Sequence, residues 1–209
     1  MIVLGLGVSR KETKKIHNFF NKINHFDLDF EKDVKNISWY NSENIIINRI
    51  QKLENKLYNN INSSKNNFHV TGDVAFYYLP YLELLINNYP YIKFISTKKS
   101  KKHIFKDIKS DIRTNNSLPT RLFLFKKKFK NHWIDHNGKK WEKDYINDKC
   151  YPNYDIDDLD KSIQMYIDNY IFQMKKIQKK YPRNLKVIFS DELNSNFAKK
   201  KIFNFIGVK

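Results

Sequence analysis

Cysteine is almost absent from this chain, which has only Cys150 among its 209 residues. A single cysteine excludes an internal disulfide and every multi-cysteine metal site, and it is typical of a reducing, cytosolic compartment. Neither a histidine nor a predicted helix start lies near Cys150 in sequence. We therefore interpret Cys150 as a structural residue rather than as a nucleophile.

Long apolar runs are absent as well. No segment approaches the length of about 18 apolar residues that a membrane-spanning helix needs. The apolar start of the chain lacks a basic leader and a small-residue cleavage site, so it does not have the pattern of a signal peptide. We therefore expect a soluble, cytoplasmic or viral-type protein.

Acidic residues are scarce relative to basic ones. The chain has 22 Asp and Glu against 39 Lys and Arg, which gives a formal net charge of +17. This balance favours anionic partners such as nucleotides, sulfated or phosphorylated substrates, nucleic acid or an anionic membrane surface. An AT-rich genome would give the same excess of Lys, Asn and Ile without selection for binding, and both explanations stay open. Because no helix-turn-helix, zinc-finger or RNA-recognition signature is present, nucleic acid is the less favoured partner.

The apolar residues that are present predict one globular α/β domain over residues 1–209. Aromatic residues are abundant, with 13 Tyr and 16 Phe, and short apolar runs alternate with segments of helical periodicity. This alternation predicts a mainly parallel sheet with right-handed crossovers. Strands are predicted at 2–4, 68–72, 91–97 and 185–189, and helices from about 10, at 37–57, 75–88, 98–109, 155–181 and 197–206. Residues 24–33, 58–67 and 111–119 are predicted to be loops.

One long segment has no sustained period. Residues 121–129 fit a helix or a strand, and residues 132–154 contain two Trp, two His, a Gly and a Pro without a repeating pattern. We interpret 121–154 as an irregular lid or insertion over the cleft. His132 and His136 have a spacing that binds metal on a helix, but Gly138 argues against a helix here, so a metal site is not expected.

The first twenty residues have the pattern of an anion-binding unit. The strand from Ile2 to Leu4 is followed by Gly5 and Gly7, then by basic residues and a helix start, which offers backbone N–H groups and a helix dipole to an anion. The pattern is not a Walker A motif, and an ordinary first β–α unit explains it equally. Ligands of parallel sheets bind at the carboxyl ends of strands. Arg10, Asp73 and Lys99 each follow a predicted strand, so we expect them at one edge.

Three stretches of the chain resemble the sulfotransferase family. Residues 7–14 are similar to its loop Gly-x-Pro-(Arg/Lys)-Ser-Gly-Thr-Thr, with Gly7, Arg10 and Thr13 in register and Ser9, Lys11, Glu12 and Lys14 departing from it. Residues 93–100 resemble the strand–turn–helix segment in which an Arg, and a Ser eight positions later, bind a 3′-phosphate. Lys99 stands at the Arg position and Asp107 at the Ser position. Residues 183–208 are similar to the final strand and helix of the family.

The resemblance implies a fold, a co-substrate and a set of roles. The fold would be the P-loop-like three-layer sandwich, and the co-substrate 3′-phosphoadenosine 5′-phosphosulfate (PAPS), used without a metal. Arg10 would stabilise charge on the transferred sulfuryl group, and the backbone amides of Lys11, Glu12, Thr13 and Lys14, with the Thr13 hydroxyl, would hold the 5′-phosphate. The site residues expected on this basis are Arg10, Lys11, Glu12, Thr13, Lys14, Asp73, Lys99 and Asp107.

For Asp73 and Lys99, a second interpretation stays open. Asp73 corresponds to an acidic residue that takes the proton from the acceptor hydroxyl in some members, but it also fits the cap of a helix starting at Val74. Lys99 also fits a solvated lysine face. Glu12 replaces a Gly of the family loop, and its carboxylate would repel a phosphate.

The acceptor would be a small molecule or a glycan. The rival functions are a degenerate, non-catalytic member that binds an anionic ligand or partner, and a basic nucleic-acid-binding protein.

Overall fold

Five parallel strands form the centre of the protein in a computed structural model that describes residues 1–32, 36–62, 70–115, 151, 152, 154 and 158–208. Their order in the sheet is β2-β3-β1-β4-β5. The strands are β1 (Ile2–Leu6), β2 (Phe26–Phe30), β3 (Val70–Val74), β4 (Lys93–Lys98) and β5 (Leu185–Phe189).

Helices cover both faces of the sheet. The α-helices are α1 (Arg10–Phe20), α2 (Glu43–Asn62), α3 (Leu82–Asn88), α4 (Lys101–Asn115), α5 (Leu159–Lys180) and α6 (Asn196–Ile206), and 3₁₀ helices lie at Phe76–Tyr81 and Ser190–Glu192. Because successive side chains of a strand point to opposite faces, β1 contributes to two cores. Leu4 packs among side chains of α2, α3, α4 and α5, whereas Val3 packs with α1 and α6. The predicted three-layer α/β architecture with a parallel sheet is confirmed.

The sequence-based prediction missed one strand. Residues 24–33 were expected to be a loop, but Phe26–Phe30 forms β2 at the edge of the sheet and pairs with β3. The segment alternates apolar and acidic residues, which is the period-two pattern of a half-buried strand. Phe26 and Leu28 are buried, while Asp27 and Asp29 face Lys56 of α2.

Helix boundaries differ from expectation where local chemistry decides them. Helix α2 begins at Glu43 instead of 37 and continues to Asn62, into the predicted loop. The predicted helix 75–88 divides into the 3₁₀ helix Phe76–Tyr81 and α3, with Pro80 inside the 3₁₀ segment, where an α-helical hydrogen bond would lack its N–H donor. Helix α5 is capped by Asp158, whose side chain accepts a hydrogen bond from Lys161 N, rather than by Asp155 or Asp157, which lie outside the described residues.

The predicted lid at 121–154 lies outside the described residues except for Tyr151, Pro152 and Tyr154, and Cys150 lies outside them too. Tyr151 is buried and its ring stacks on Phe76 with centroids 4.8 Å apart. Within the described part of the chain, no helix combines the length and the apolar character that crossing a membrane requires.

Gly72 allows β3 to approach β1 closely, and its replacement is expected to be costly. A Cβ at this position would lie 1.7 Å from the carbonyl oxygen of Val3, its partner in the register. Gly72→Ala is therefore expected to lower the free energy of unfolding by about 3 kcal/mol or more, measured by urea denaturation.

Gly207→Ala is the matched control for Gly72→Ala. Gly207 has a φ of +71°, but a Cβ there meets nothing within 4 Å, so only backbone strain of about 1 kcal/mol is expected. Equal costs at the two positions would show that contact with Val3 is not what requires Gly72.

Candidate functional site

The β1–α1 turn is short and closes on itself. Ser9 caps α1, with its Oγ accepting a hydrogen bond from Glu12 N at 3.4 Å and its carbonyl oxygen accepting one from Thr13 N at 3.0 Å. A Cβ at Gly7 would lie 2.5 Å from Thr13 N, so glycine is needed for the turn to pass over the helix start. The predicted strand–turn–helix unit is present, and two of the amides expected to face a phosphate already have partners inside the turn.

Arg10, the first residue of α1, is held by an acidic side chain that the sequence analysis did not single out. Its Nε donates to Glu31 Oε2 at 2.9 Å. The Thr13 hydroxyl lies 2.9 Å from the Arg10 carbonyl oxygen and 3.1 Å from Glu31 Oε1. The Arg10 side chain is 41% exposed, whereas that of Glu31 is 4% exposed. Arg10 is therefore an oriented guanidinium that remains accessible at the carboxyl edge of β1.

Glu31 lies just after β2 and takes an unusual backbone conformation, with a φ of +47°. Burial raises the pKa of its carboxyl above the ordinary range, while Arg10 and Thr13 lower it and the nearby charge of Asp73 raises it. The alternating pattern of β2 was the only sequence signal that would have directed attention to this region.

Glu12 turns its carboxylate into the protein. Its Oε2 accepts a hydrogen bond from the Thr97 hydroxyl at 2.9 Å, and its Oε1 lies 3.2 Å from Lys15 Nζ and 3.6 Å from Lys99 Nζ. The side chain is 1% exposed. The carboxylate thus occupies the space between the start of α1 and the end of β4, where the resemblance would have a glycine.

Lys99 and Asp107 are brought together as expected, but they bind each other. Lys99 Nζ donates to Asp107 Oδ2 at 2.8 Å. Burial lowers the pKa of Lys99, and the stronger effects of Asp107 and Glu12 raise it above its ordinary value. Lys11 Nζ lies 3.7 Å from carboxylate oxygens of both Asp107 and Asp111. The alternative of a fully solvated lysine face is wrong for Lys99, whose side chain is 16% exposed. Lys14, by contrast, is exposed on α1.

These ion pairs form one group, which we call the turn cluster. It has four cations and four carboxylates, so its formal charges sum to zero although the whole chain carries +17. The members of the turn cluster are Arg10, Lys11, Lys15, Lys99, Glu12, Glu31, Asp107 and Asp111.

Asp73 lies inside β3 and not after its end, which corrects the sequence-based placement. It is fully buried, and its Oδ2 accepts hydrogen bonds from Arg49 Nε at 3.3 Å, Tyr77 OH at 3.2 Å and Tyr78 OH at 2.8 Å. The helix-cap alternative is wrong, because the following 3₁₀ helix begins at Phe76 after an uncapped Ala75. Burial raises the pKa of Asp73, and Arg49 and Tyr78 only partly oppose that effect.

Arg49 connects Asp73 to β2. Its Nη2 donates to Asp29 Oδ2, and its side chain is 7% exposed. Arg49 stands on the otherwise apolar face of α2 that carries Ile46, Ile50 and Leu53. A lone arginine on such a face was the sequence signal for a buried acidic partner. Among the described residues, no group of three or more His, Cys, Asp and Glu side chains is placed to hold a metal ion.

Comparison with known proteins gives a similarity in structure and none in sequence. The chain matches no protein-family model and no curated protein by sequence. In three dimensions it is similar to the crystal structure of a sulfotransferase from Alicyclobacillus acidocaldarius, with a TM-score of 0.57 and 12% sequence identity over 99% of this chain and 81% of that one. At this identity the similarity establishes the sulfotransferase P-loop-like fold, and the chemistry has to be argued from the residues.

Proposed function

We propose that the protein transfers a sulfuryl group from PAPS to a hydroxyl or amine of an acceptor. The observation that carries the proposal is the position of Arg10 in a sulfotransferase fold. Its guanidinium stands at the positive end of α1, is oriented by the buried Glu31 and stays accessible. A fixed cation at the point where negative charge develops is the main protein contribution to such transfers.

The residues around the turn fit PAPS in part. Arg10 and Lys11 are accessible cations beside a helix N-terminus, and Lys99 lies across from them, so these three would hold the anionic groups. Glu12 does not fit, because an anionic ligand inside the turn would meet its buried carboxylate. When bound, PAPS would supply the sulfuryl group.

We propose Asp73 as the base, a role that requires the acceptor hydroxyl to reach its carboxylate. Its Oδ2 already receives three hydrogen bonds, while Oδ1 is buried and has no hydrogen-bond donor among the described residues. For Asp73 to take its proton, an acceptor hydroxyl would have to reach the buried Oδ1. A raised pKa makes the ionised carboxylate a stronger base, so Asp73 acts as a base only above its native pKa.

A second candidate function is favoured by the turn cluster. Because its charges sum to zero and Glu12 occupies its interior, the cluster is already satisfied without an anion. The second candidate is therefore a non-catalytic protein of sulfotransferase fold, whose surplus positive charge binds an anionic partner elsewhere on the surface.

Titration with adenosine 3′,5′-bisphosphate, the product of the proposed reaction, separates the two candidates. A transferase is expected to be stabilised by about 2.7 kcal/mol at a ligand concentration of 100 times Kd, measured as a shift in thermal unfolding. Glu12→Gly should strengthen this binding, because it removes the repelling carboxylate.

The result for the unmodified chain decides between the candidates. Stabilisation of Glu12→Gly without stabilisation of the unmodified chain would support the non-catalytic protein. Stabilisation by an oligonucleotide alone would support the third alternative, nucleic-acid binding.

A further inference from the structure

A cavity adjoins the β1–α1 turn, on the opposite side of β4 from α1. It has a volume of about 170 Å³ and lies between the carboxyl end of β4 and α5. Val8 and Thr97 are part of its wall, and Thr97 also donates its hydroxyl to Glu12, so the cavity and the turn cluster share a boundary.

The walls of this cavity are apolar and its surroundings are cationic. Ile104 of α4, Ile171 and Met174 of α5, and Val187 of β5 supply the apolar surface. Lysines from two elements also line it, namely Lys98 and Lys99 at the end of β4 and Lys175 on α5. Lys99 is paired with Asp107, whereas Lys98 Nζ lies 3.6 Å from the ring centroid of Phe189 and Lys175 is exposed. Such a cavity matches a ligand with an apolar body and a negatively charged end.

A buried pair of hydroxyls adds a directional contact. Ser96 Oγ and Tyr170 OH lie 3.1 Å apart, and both residues line the cavity although less than a tenth of either is exposed. Two hydroxyls that share one hydrogen bond keep one further donor and free acceptor positions between them. They can therefore bond to a hydroxyl on a ligand that lies against them.

The volume limits the size of the ligand. A dry cavity of about 150 Å³ accommodates benzene, so a cavity of about 170 Å³ holds one six-membered ring with its substituents outside or at the wall. From the volume of the cavity, the positive charge of the lysines around it and the buried hydroxyl pair, we infer that this cavity binds a hydroxy acid with a single ring. This inference concerns binding in the cavity and does not depend on the proposed function.

The test is calorimetric titration of the full chain with 4-hydroxybenzoate, without nucleotide. We expect a Kd on the order of 0.1–1 mM, and binding of phenol and of benzoate that is at least threefold weaker than that of 4-hydroxybenzoate. Tyr170→Phe keeps the ring but removes one hydroxyl of the pair, so it should reduce the advantage of 4-hydroxybenzoate over benzoate, and Tyr170→Phe/Ser96→Ala should abolish it. Lys175→Gln should abolish the advantage over phenol.

Lys176→Gln is the matched control, because Lys176 is the next residue of α5 and instead faces Glu83, 3.8 Å away. It should leave all three affinities unchanged. The site is disproved if 4-hydroxybenzoate shows no binding at 10 times the upper end of the expected Kd, or if it binds and neither Tyr170→Phe nor Lys175→Gln changes the ligand preference. Binding of 4-hydroxybenzoate without binding of adenosine 3′,5′-bisphosphate would support the cavity and reject the transferase.

Discussion

Arg10→Ala is expected to lower sulfuryl transfer from PAPS about a thousandfold on the function proposed. A single positioned donor in a preorganised site contributes about 10²–10³ to a rate, and arginines that neutralise a transferred group contribute about 10³–10⁵. Arg10 combines a fixed orientation with access to the carboxyl edge. The measurement is the release of adenosine 3′,5′-bisphosphate from PAPS with a panel of hydroxyl and amine acceptors, together with the Kd of the bisphosphate.

Removal of Arg10 also has a structural consequence that a control must separate. Glu31 is buried and would keep only the contact with Thr13. The double variant Arg10→Ala/Glu31→Gln removes both charges, so it should recover stability without recovering transfer. Lys22→Ala, at an exposed lysine after α1, should change neither quantity. If Arg10→Ala retains transfer within a factor of ten, the turn does not hold the sulfuryl donor.

The fold was predictable because its signals are local. The first strand, the glycine-containing turn and the start of α1 follow one another within twenty residues, and β4 and β5 are short runs rich in apolar residues. Strand β2 was missed because its acidic positions resemble a polar loop when each residue is considered singly. Only the alternation of Phe26 and Leu28 with Asp27 and Asp29 indicates a strand, and the lysine and arginine that bind these acids belong to α2.

The sequence placed several candidate residues at one edge of the sheet, but it did not predict which charged side chains pair with each other there. Because ligands of parallel sheets bind at the carboxyl ends of strands, Arg10 and Lys99 could be placed at one edge, whereas Asp107 was singled out by the family resemblance alone. The pairing of Arg10 with Glu31 joins residues 21 positions apart across a strand that was not predicted. Glu12 was expected to repel a phosphate, but its contact with Thr97 depends on how α1 packs on β4, which no local pattern encodes. The burial of Asp73 likewise depends on packing between elements that are far apart in the sequence.

Asp73→Ala is expected to lower the free energy of unfolding by about 3 kcal/mol. Removing one partner of a buried ion pair costs about 3–5 kcal/mol, and the lower end applies because Arg49 keeps Asp29. The Tyr78 hydroxyl also loses its acceptor, whereas that of Tyr77 keeps the carbonyl oxygen of Lys32. Asp73→Asn keeps the shape and an acceptor oxygen, so a cost of about 1 kcal/mol is expected. Urea denaturation measures both, and Lys109→Gln, in a partly exposed ion pair with Asp160, should cost less than 1 kcal/mol.

The pH dependence of these stabilities distinguishes an ionised Asp73 from a neutral one. Burial raises the pKa of Asp73 above its ordinary value of 3.8, so the native state binds this proton more tightly than the unfolded chain. The resulting stabilisation is complete below pH 3.8 and is lost as the pH rises through the native pKa. The stability of the unmodified chain minus that of Asp73→Asn should therefore fall with increasing pH. A difference that instead rises with pH would mean that Arg49 and the tyrosines outweigh burial, and that Asp73 is fully ionised and a stronger candidate for the base.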